Sequence, residues 1–306
     1  MLGVCGKQVI INKVGRRILR PLPFFIGIVR LRWRVSSHEA ERKLHTISSL
    51  SADLRACGLQ AGMTVLMHCS LKQVGGWICG GAEALIQALL QVLGEDGTLM
   101  MPTQTSNNTD PEFWMAPPVP SAWWQSIRDE YPAYDPAVSV TIKMGVVAET
   151  FRKLPQVRRS AHPIASFAAC GKHADALLAV HTLEDMLGET SPLGRLYALN
   201  GVSFFIGTGH ETNTALHLAE HRAHYVGKRL IPESSAILRD GVRVRVNYDI
   251  LDYDDSDFGR LGADYEAQHH PVIYGKLGEA TTRLLPVRPM VDFAQHWFST
   301  QRGVSA

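Results

Sequence analysis

Residues 64–102 read TVLMHCSLKQVGGWICGGAEALIQALLQVLGEDGTLMMP, and the fold class turns on them. Residues 64–67 are a short β-prone apolar run, and a glycine-bearing loop follows. Residues 82–93 form a strongly helical apolar pattern ended by Gly94, and residues 98–101 are a second apolar run stopped by Pro102. Strand, loop, helix, strand is the grammar of a βαβ crossover, which predicts an α/β fold.

The same grammar extends in both directions. Upstream, Ser36 and Glu39 have capping-box spacing and predict a helix running to about Leu59, where Gly58 and Gly62 bracket a turn. Downstream, helices are expected at 145–153, 174–180 and 213–221, with strands at 164–169 and 202–206. A hairpin over 234–248 should turn at Asp240-Gly241, and a last helix lies near 291–298. There is no internal repeat and no linker, so residues 39–306 read as a single compact domain.

Composition narrows the function classes. The 306 residues are 45% hydrophobic and 20% charged, enough apolar material for a full core. Lys and Arg number 31 against 29 Asp and Glu, so the overall field is weak and leaves no footprint for nucleic acid. Cys5, Cys57, Cys69, Cys79 and Cys170 are odd in number and form no C-x-x-C pair, which points to reduced thiols in a cytoplasmic protein. The apolar run 24–29 is too short to span a bilayer, and Arg30, Arg32 and Arg34 follow it, so no membrane contact is expected. Residues 1–38 carry eight Lys or Arg and no acid, a basic extension that reads as an appended tail rather than a targeting peptide.

Residues 103–143 are polar and proline-rich, with Trp114, Trp123 and Trp124 among the prolines. A loop of that length covers a site or packs as a structural excursion, and the tryptophans suit both readings equally.

Four clusters could carry chemistry. In the first, His68-Cys69-Ser70-Leu71-Lys72-Gln73-Val74-Gly75-Gly76 follows a strand and precedes a helix start, a place where free amides and Lys72 suit a pyrophosphate. Such glycine loops also serve as plain turns. In the second, Ser160-Ala161-His162-Pro163 holds a histidine in extended backbone, with Glu184, Asp185 and Glu189 downstream as groups that could orient an imidazole. A lone histidine is more often structural. The third, Thr190-Ser191-Pro192-Leu193-Gly194-Arg195, has a proline in the first turn of a helix. The fourth is Gly207-Thr208-Gly209-His210 running into Asn213-Thr214-Ala215-Leu216-His217-Leu218-Ala219-Glu220, where His217 and Glu220 share one helical face as a site or as a surface pair.

In order and spacing, these four clusters together resemble the aminoglycoside 3-N-acetyltransferase family over roughly residues 47–298. The resemblance implies an α/β domain with a central mixed β-sheet flanked by helices. It further implies acetyl-coenzyme A as co-substrate, an aminoglycoside as acceptor, no metal, and room for a homodimer. It assigns His162 as general base, oriented by Glu189 or, second, by Asp185. Ser70, Leu71, Lys72, Val74, Gly75, Ser191 and Thr214 would hold the cofactor. Asp110, Asp135, Glu211, His217 and Glu220 would face the sugar, since a polycationic acceptor calls for an acidic pocket.

The run Asp252-Asp254-Asp255-Asp257 reads first as a solvated turn, second as substrate-facing, and third as a calcium loop, whose glycine and distal glutamate it lacks. Three rival functions remain: a non-catalytic coenzyme A-binding relative, an acetyltransferase for another amine, and a zinc hydrolase suggested by His217-Leu218-Ala219-Glu220-His221.

Overall fold

Side chains alternate between the two faces of a strand, and the central strands of this chain are apolar on both faces. In the computed structural model, which describes residues 43–115, 117–268 and 271–303, the strands are β1 (Leu44–His45), β2 (Thr64–Cys69), β3 (Trp77–Ile78), β4 (Thr98–Pro102), β5 (Arg158–Arg159), β6 (Phe167–Gly171), β7 (Val202–Ile206), β8 (Leu230–Arg239), β9 (Val242–Leu251), β10 (Ile273–Leu277) and β11 (Ala280–Pro286). Seven of them form one sheet in the order β10-β11-β7-β2-β4-β6-β5. β2 runs parallel to β4 and β7, while the other pairs are antiparallel, so the sheet is mixed.

Two cores follow from the alternation. Leu66, Met100, Phe167, Ala169, Phe205 and Leu285 point to one face and pack with residues of helices Ala174–Leu178, Pro192–Ala198, Leu216–Arg222, Phe258–Ala267 and Val287–Gln301. Val65, Met67, Leu99, Met101, Ala168, Phe204, Ile206 and Leu284 point to the other, against helices Ile47–Ala56, Gly81–Leu93 and Gly145–Phe151. A sheet buried on both faces leaves only its ends open for polar chemistry.

The βαβ unit stands as the sequence predicts: β2 and β4 are parallel, joined through helix Gly81–Leu93, which Gly94 ends at φ 67°. The helix expected from Ser36 to Leu59 is shorter. Residues 1–42, with the Ser36–Glu39 spacing, lie outside the described residues. Leu44 and His45 pair with β3, and the helix Ile47–Ala56 is capped by Thr46, whose hydroxyl accepts from the Ser49 amide. The strand expected at 164 begins only at Phe167, because the amides of Ile164 and Ala165 are committed to the His162 ring. Helix Phe258–Ala267 and the β10–β11 hairpin, which extends the sheet beyond β7, have no counterpart in the sequence reading.

The β8–β9 hairpin turns at Asp240 and Gly241, with φ of 53° and 77°, the left-handed pair that a two-residue hairpin turn demands. It anchors the 103–143 excursion. Tyr134 and Asn108 donate to the carbonyl of Ala236, and Ser235 donates to the Asn108 carbonyl. Arg243 donates to the carbonyls of Tyr131 and Arg128. The excursion is thus packed against the hairpin, and among the described residues its two ends, at Gln104 and Lys143, reach the cavity described below.

Among the described residues no helix is long and apolar enough to cross a membrane, and Cys57, Cys69, Cys79 and Cys170 are free thiols. Phe204 has no exposure at the centre of the second core. Phe204→Ala is therefore expected to cost about 3–5 kcal/mol in urea unfolding, whereas the half-exposed Phe113→Ala should stay within about 0.5 kcal/mol.

Candidate active site

In α/β sheets, ligands bind beyond the carboxyl ends of parallel strands. Here those ends belong to β2, β4 and β7, and a cavity of about 500 Å³ opens beside them. Its wall is built by Met67 to Lys72 at the end of β2 and in the loop beyond it, Met101 and Pro102 at the end of β4, Gln104 after them, and Thr208 and Glu211 to Thr214 after β7. Residues 143–148, His217, Asp255 and Phe258 complete it.

His217 lies on helix Leu216–Arg222 with its ring against Tyr253 and Phe258. Its Nδ1 is 2.9 Å from Oε2 of Glu220, one helical turn further on. Glu220 has no exposure, and its Oε1 accepts from the Asp254 amide at 2.8 Å and Arg302 Nη1 at 2.7 Å. Burial alone would raise its pKa, but the bonds from His217, Asp254 and Arg302 outweigh burial and hold it below the usual range. A carboxylate kept charged fixes the proton on His217 Nδ1 and leaves the Nε2 lone pair without a protein partner among the described residues. That ring can accept a proton.

Three further polar atoms on the cavity wall are buried and unpartnered among the described residues: His68 Nε2, Thr208 Oγ1 and Asn213 Nδ2. Buried polar atoms are normally paired, and these three are free to bond a ligand in the cavity. Asn213 is oriented by the Ala215 amide, which donates to its Oδ1 at 3.3 Å. His68 stacks on Phe205, and burial lowers its pKa to about 3, so it stays neutral. Burial likewise raises the Cys69 thiol to about 12, out of the range of a thiolate nucleophile. Lys72 and Lys143 share the wall with Glu211 and Asp255, so the cavity is balanced in charge rather than acidic.

Of the residues singled out in the sequence, Ser70, Leu71, Lys72, Thr214, Glu211 and His217 meet at this cavity, and Glu220 stands behind His217 instead of facing a substrate. Gly75 lines an adjoining recess with Lys72 and Trp77, while Val74 is buried in the core. The trio of His162, Glu189 and Asp185 is not assembled. His162 has no exposure; its Nδ1 accepts from the amides of Ile164 and Ala165, both at 3.1 Å, and its Nε2 faces the Leu183 carbonyl at 3.2 Å. With its lone pair spent on two amides, and with burial and neighbouring His181 lowering its pKa to about 3, it has nothing to offer a substrate proton.

Glu189 is half-exposed and pairs with Arg222, and Asp185 accepts from the Thr190 amide and faces His221 Nε2 at 3.1 Å. His221 thus turns from His217, and the H-x-x-E-H spacing does not converge. Ser191 is a helix cap, accepting from the Leu193 amide and donating to the Gly188 carbonyl. Asp110 binds Arg128, Arg245 and Ser234 under the hairpin. Burial opposes its charge, but bonds from Arg128, the Glu112 amide and Ser234 win and bring its pKa to about 2. Asp135 closes a turn with the Ala137 amide. His68 and Thr208 come to the site from the first and fourth clusters and Asp255 from the acid run, while Phe258 joins it with no signal in the sequence.

Residues 66–299 match the family model described as Aminoglycoside 3-N-acetyltransferase. The chain belongs to the aminoglycoside 3-N-acetyltransferase family. An SPbeta prophage-derived aminoglycoside N(3')-acetyltransferase-like protein of Bacillus subtilis (strain 168), YokD, is 43% identical over 254 residues, covering 83% of this chain and 92% of its own. The crystal structure of that protein superposes with a TM-score of 0.79. Aminoglycoside N(3)-acetyltransferase III of Pseudomonas aeruginosa is 36% identical over 267 residues, 86% of this chain and 96% of the relative. A structure titled AAC-IIIb binary with CoASH is 27% identical with a TM-score of 0.76, covering 86% of this chain and 100% of that one.

The buried histidines of this family member make its stability sensitive to acid. Burial foremost lowers His68 and His162 to about 3 and His181 to about 4. The unfolded chain takes up these protons as pH falls through about 6.5, while the folded protein does not, so stability held near neutrality is lost progressively below that value. Urea unfolding should show a cost of roughly 2 kcal/mol for each such histidine at about pH 5 relative to about pH 7. An unchanged midpoint over that interval would contradict their burial as neutral rings.

Proposed function

We propose that this protein transfers the acetyl group of acetyl-coenzyme A to an amine of an aminoglycoside, the 3-amino group by family analogy, with His217 as general base and Glu220 as the acid that orients it. The observation that carries the reading is the His217–Glu220 pair, whose free imidazole nitrogen lies on the wall of the cavity at the strand ends. Two relatives support the substrates: one is named for aminoglycoside N(3)-acetylation and another was solved with CoASH.

Only a neutral amine has the lone pair to attack a thioester, and its nitrogen becomes acidic as the bond forms, so a base must take the proton it releases. His217 Nε2 accepts it from the nitrogen attacking the thioester carbon, and Glu220 stabilises the resulting imidazolium. Charge then develops on the thioester oxygen, where a preorganised donor is worth the most. Asn213 Nδ2 is such a donor, and so is Thr208 Oγ1. When the carbon–sulfur bond breaks, the imidazolium returns its proton to the departing thiolate, which leaves N-acetylated product, free coenzyme A and the starting base. Lys72, beside the loop after β2, suits the phosphates of coenzyme A, and Glu211 and Asp255 suit ammonium groups of the acceptor.

The balance of Lys72 and Lys143 against Glu211 and Asp255 favours a second reading within the same chemistry, an amine acceptor with fewer positive charges than most aminoglycosides. A panel of aminoglycosides and simpler amines, followed by release of free coenzyme A thiol, separates the two. His217→Ala is expected to lower kcat by about 10²–10⁴-fold. His162→Ala should retain turnover in whatever fraction stays folded. The reverse pattern would return the role of base to His162.

A further inference from the structure

We propose that Arg302 is a positioning residue for the acyl transfer, its guanidinium holding Glu220 as the anion that orients His217. The inference rests on the reading of His217 as base and reaches a residue three positions beyond the stretch that matches the family model, which ends at 299.

Glu220 has no exposure, so its charge is tolerable only with compensation inside the protein. His217 supplies a neutral donor to one oxygen and the Asp254 amide another to the second. Arg302 Nη1, at 2.7 Å from Oε1, is the permanent cation in direct contact with this carboxylate among the described residues. Its place is firmly fixed. Nε and Nη2 grip the Asp257 carboxylate at 2.8 and 2.6 Å, and Nη2 also donates to the Asp254 carbonyl. The guanidinium carbon lies 4.1 Å from the ring centroid of Phe298 and 5.2 Å from that of Tyr225. One side chain thus ties the end of the last helix to the carboxylate behind the base, and to the 252–257 loop that brings Asp255 to the cavity.

The charge arithmetic gives the effect a sign. Besides Arg302, the groups facing the His217–Glu220 pair are Asp254, Tyr225, Tyr253 and, at longer range, Lys228, whose ammonium is bonded to the carbonyls of His221 and Ala223; Asp257 reaches the pair through Arg302. Asp255 lies on the shared cavity wall. Removing the Arg302 cation favours the protonated pair, so the base loses its free lone pair at a higher pH. Removing the Asp257 anion, which offsets that cation, does the opposite. A side chain that merely anchors the helix would weaken folding or activity without moving the titration, and would not give shifts of opposite sign.

The test compares wild type with Arg302→Gln, Arg302→Lys and Asp257→Asn. One readout is the pH profile of kcat with the best acceptor; another, which needs no substrate, is the titration of the His217 ring by nuclear magnetic resonance, assigned with His217→Ala. Arg302→Gln should move the acidic limb and the ring titration up by about one pH unit, Asp257→Asn should move them down by about half a unit, and Arg302→Lys should stay near wild type. If Arg302→Gln does not fold, Asp257→Asn and Arg302→Lys carry the same test. Unmoved ring titrations in the folded variants, or shifts of the same sign in Arg302→Gln and Asp257→Asn, overturn the proposal. Turnover that survives in His217→Ala would instead overturn the assignment of the base, and the ring titration would still decide whether Arg302 tunes the pair.

Discussion

Three strands of this sheet, β7, β2 and β4, run the same way and are covered on both faces, and that constraint governs where chemistry can occur. A strand packed between two layers of helices has no free face, so a polar group can reach a ligand only from the loops at its end. Parallel alignment puts three such ends side by side. The loops after Cys69, Pro102 and Ile206 therefore meet at one edge, although well over a hundred residues separate the first from the last. Helix Leu216–Arg222, which follows β7, then brings His217 to the same edge.

A second constraint is the cost of burying charge. Glu220 is useful behind an imidazole only as an anion, and as a buried anion it needs compensation from elsewhere in the fold. The compensation comes from the Asp254 amide and from Arg302 at the end of the last helix, so the site extends well past the residues that touch the cavity. Glu220 is a different kind of group from Asp110, which is also charged and hydrogen-bonded but lies under the hairpin and holds the 103–143 excursion in place. Both are carboxylates with lowered pKa. Only the one joined to a cavity-facing imidazole has a route to a substrate.

The histidine of the His-Pro motif spends both ring nitrogens on backbone groups. His162 lies between the sheet and the hairpin, close to His181 and Tyr248, where a backbone breaking away from β6 leaves two amides unpaired by the sheet. The ring satisfies them. A histidine so used is specified as tightly as a catalyst, and in a linear sequence it looks the same. The distinction lies in where the lone pair points.

The alternation of short apolar runs with helical patterns, punctuated by Gly94 and Pro102, was enough to establish the α/β class and the βαβ unit, because burial on both faces imposes an unbroken apolar run on each strand. The ordered motifs were enough for the family. Within the site, Ser70, Leu71, Lys72, Thr214, Glu211 and His217 were legible, since each stands just after a recognisable strand or on the helix that follows one. Which histidine keeps an unpartnered ring nitrogen beside the cavity was decided only by the tertiary structure. The roles of His162 and His217 depend on partners at Leu183, Asp254 and Arg302, and no local pattern encodes contacts made that far along the chain. The same holds for the acid run at 252–257, which folding divides: Asp252 pairs with Arg229, Asp257 with Arg302, and Asp255 goes to the cavity. Sequence supplies the groups and their order, but a lone pair or a carboxylate acquires its function from the charges and donors that packing brings against it.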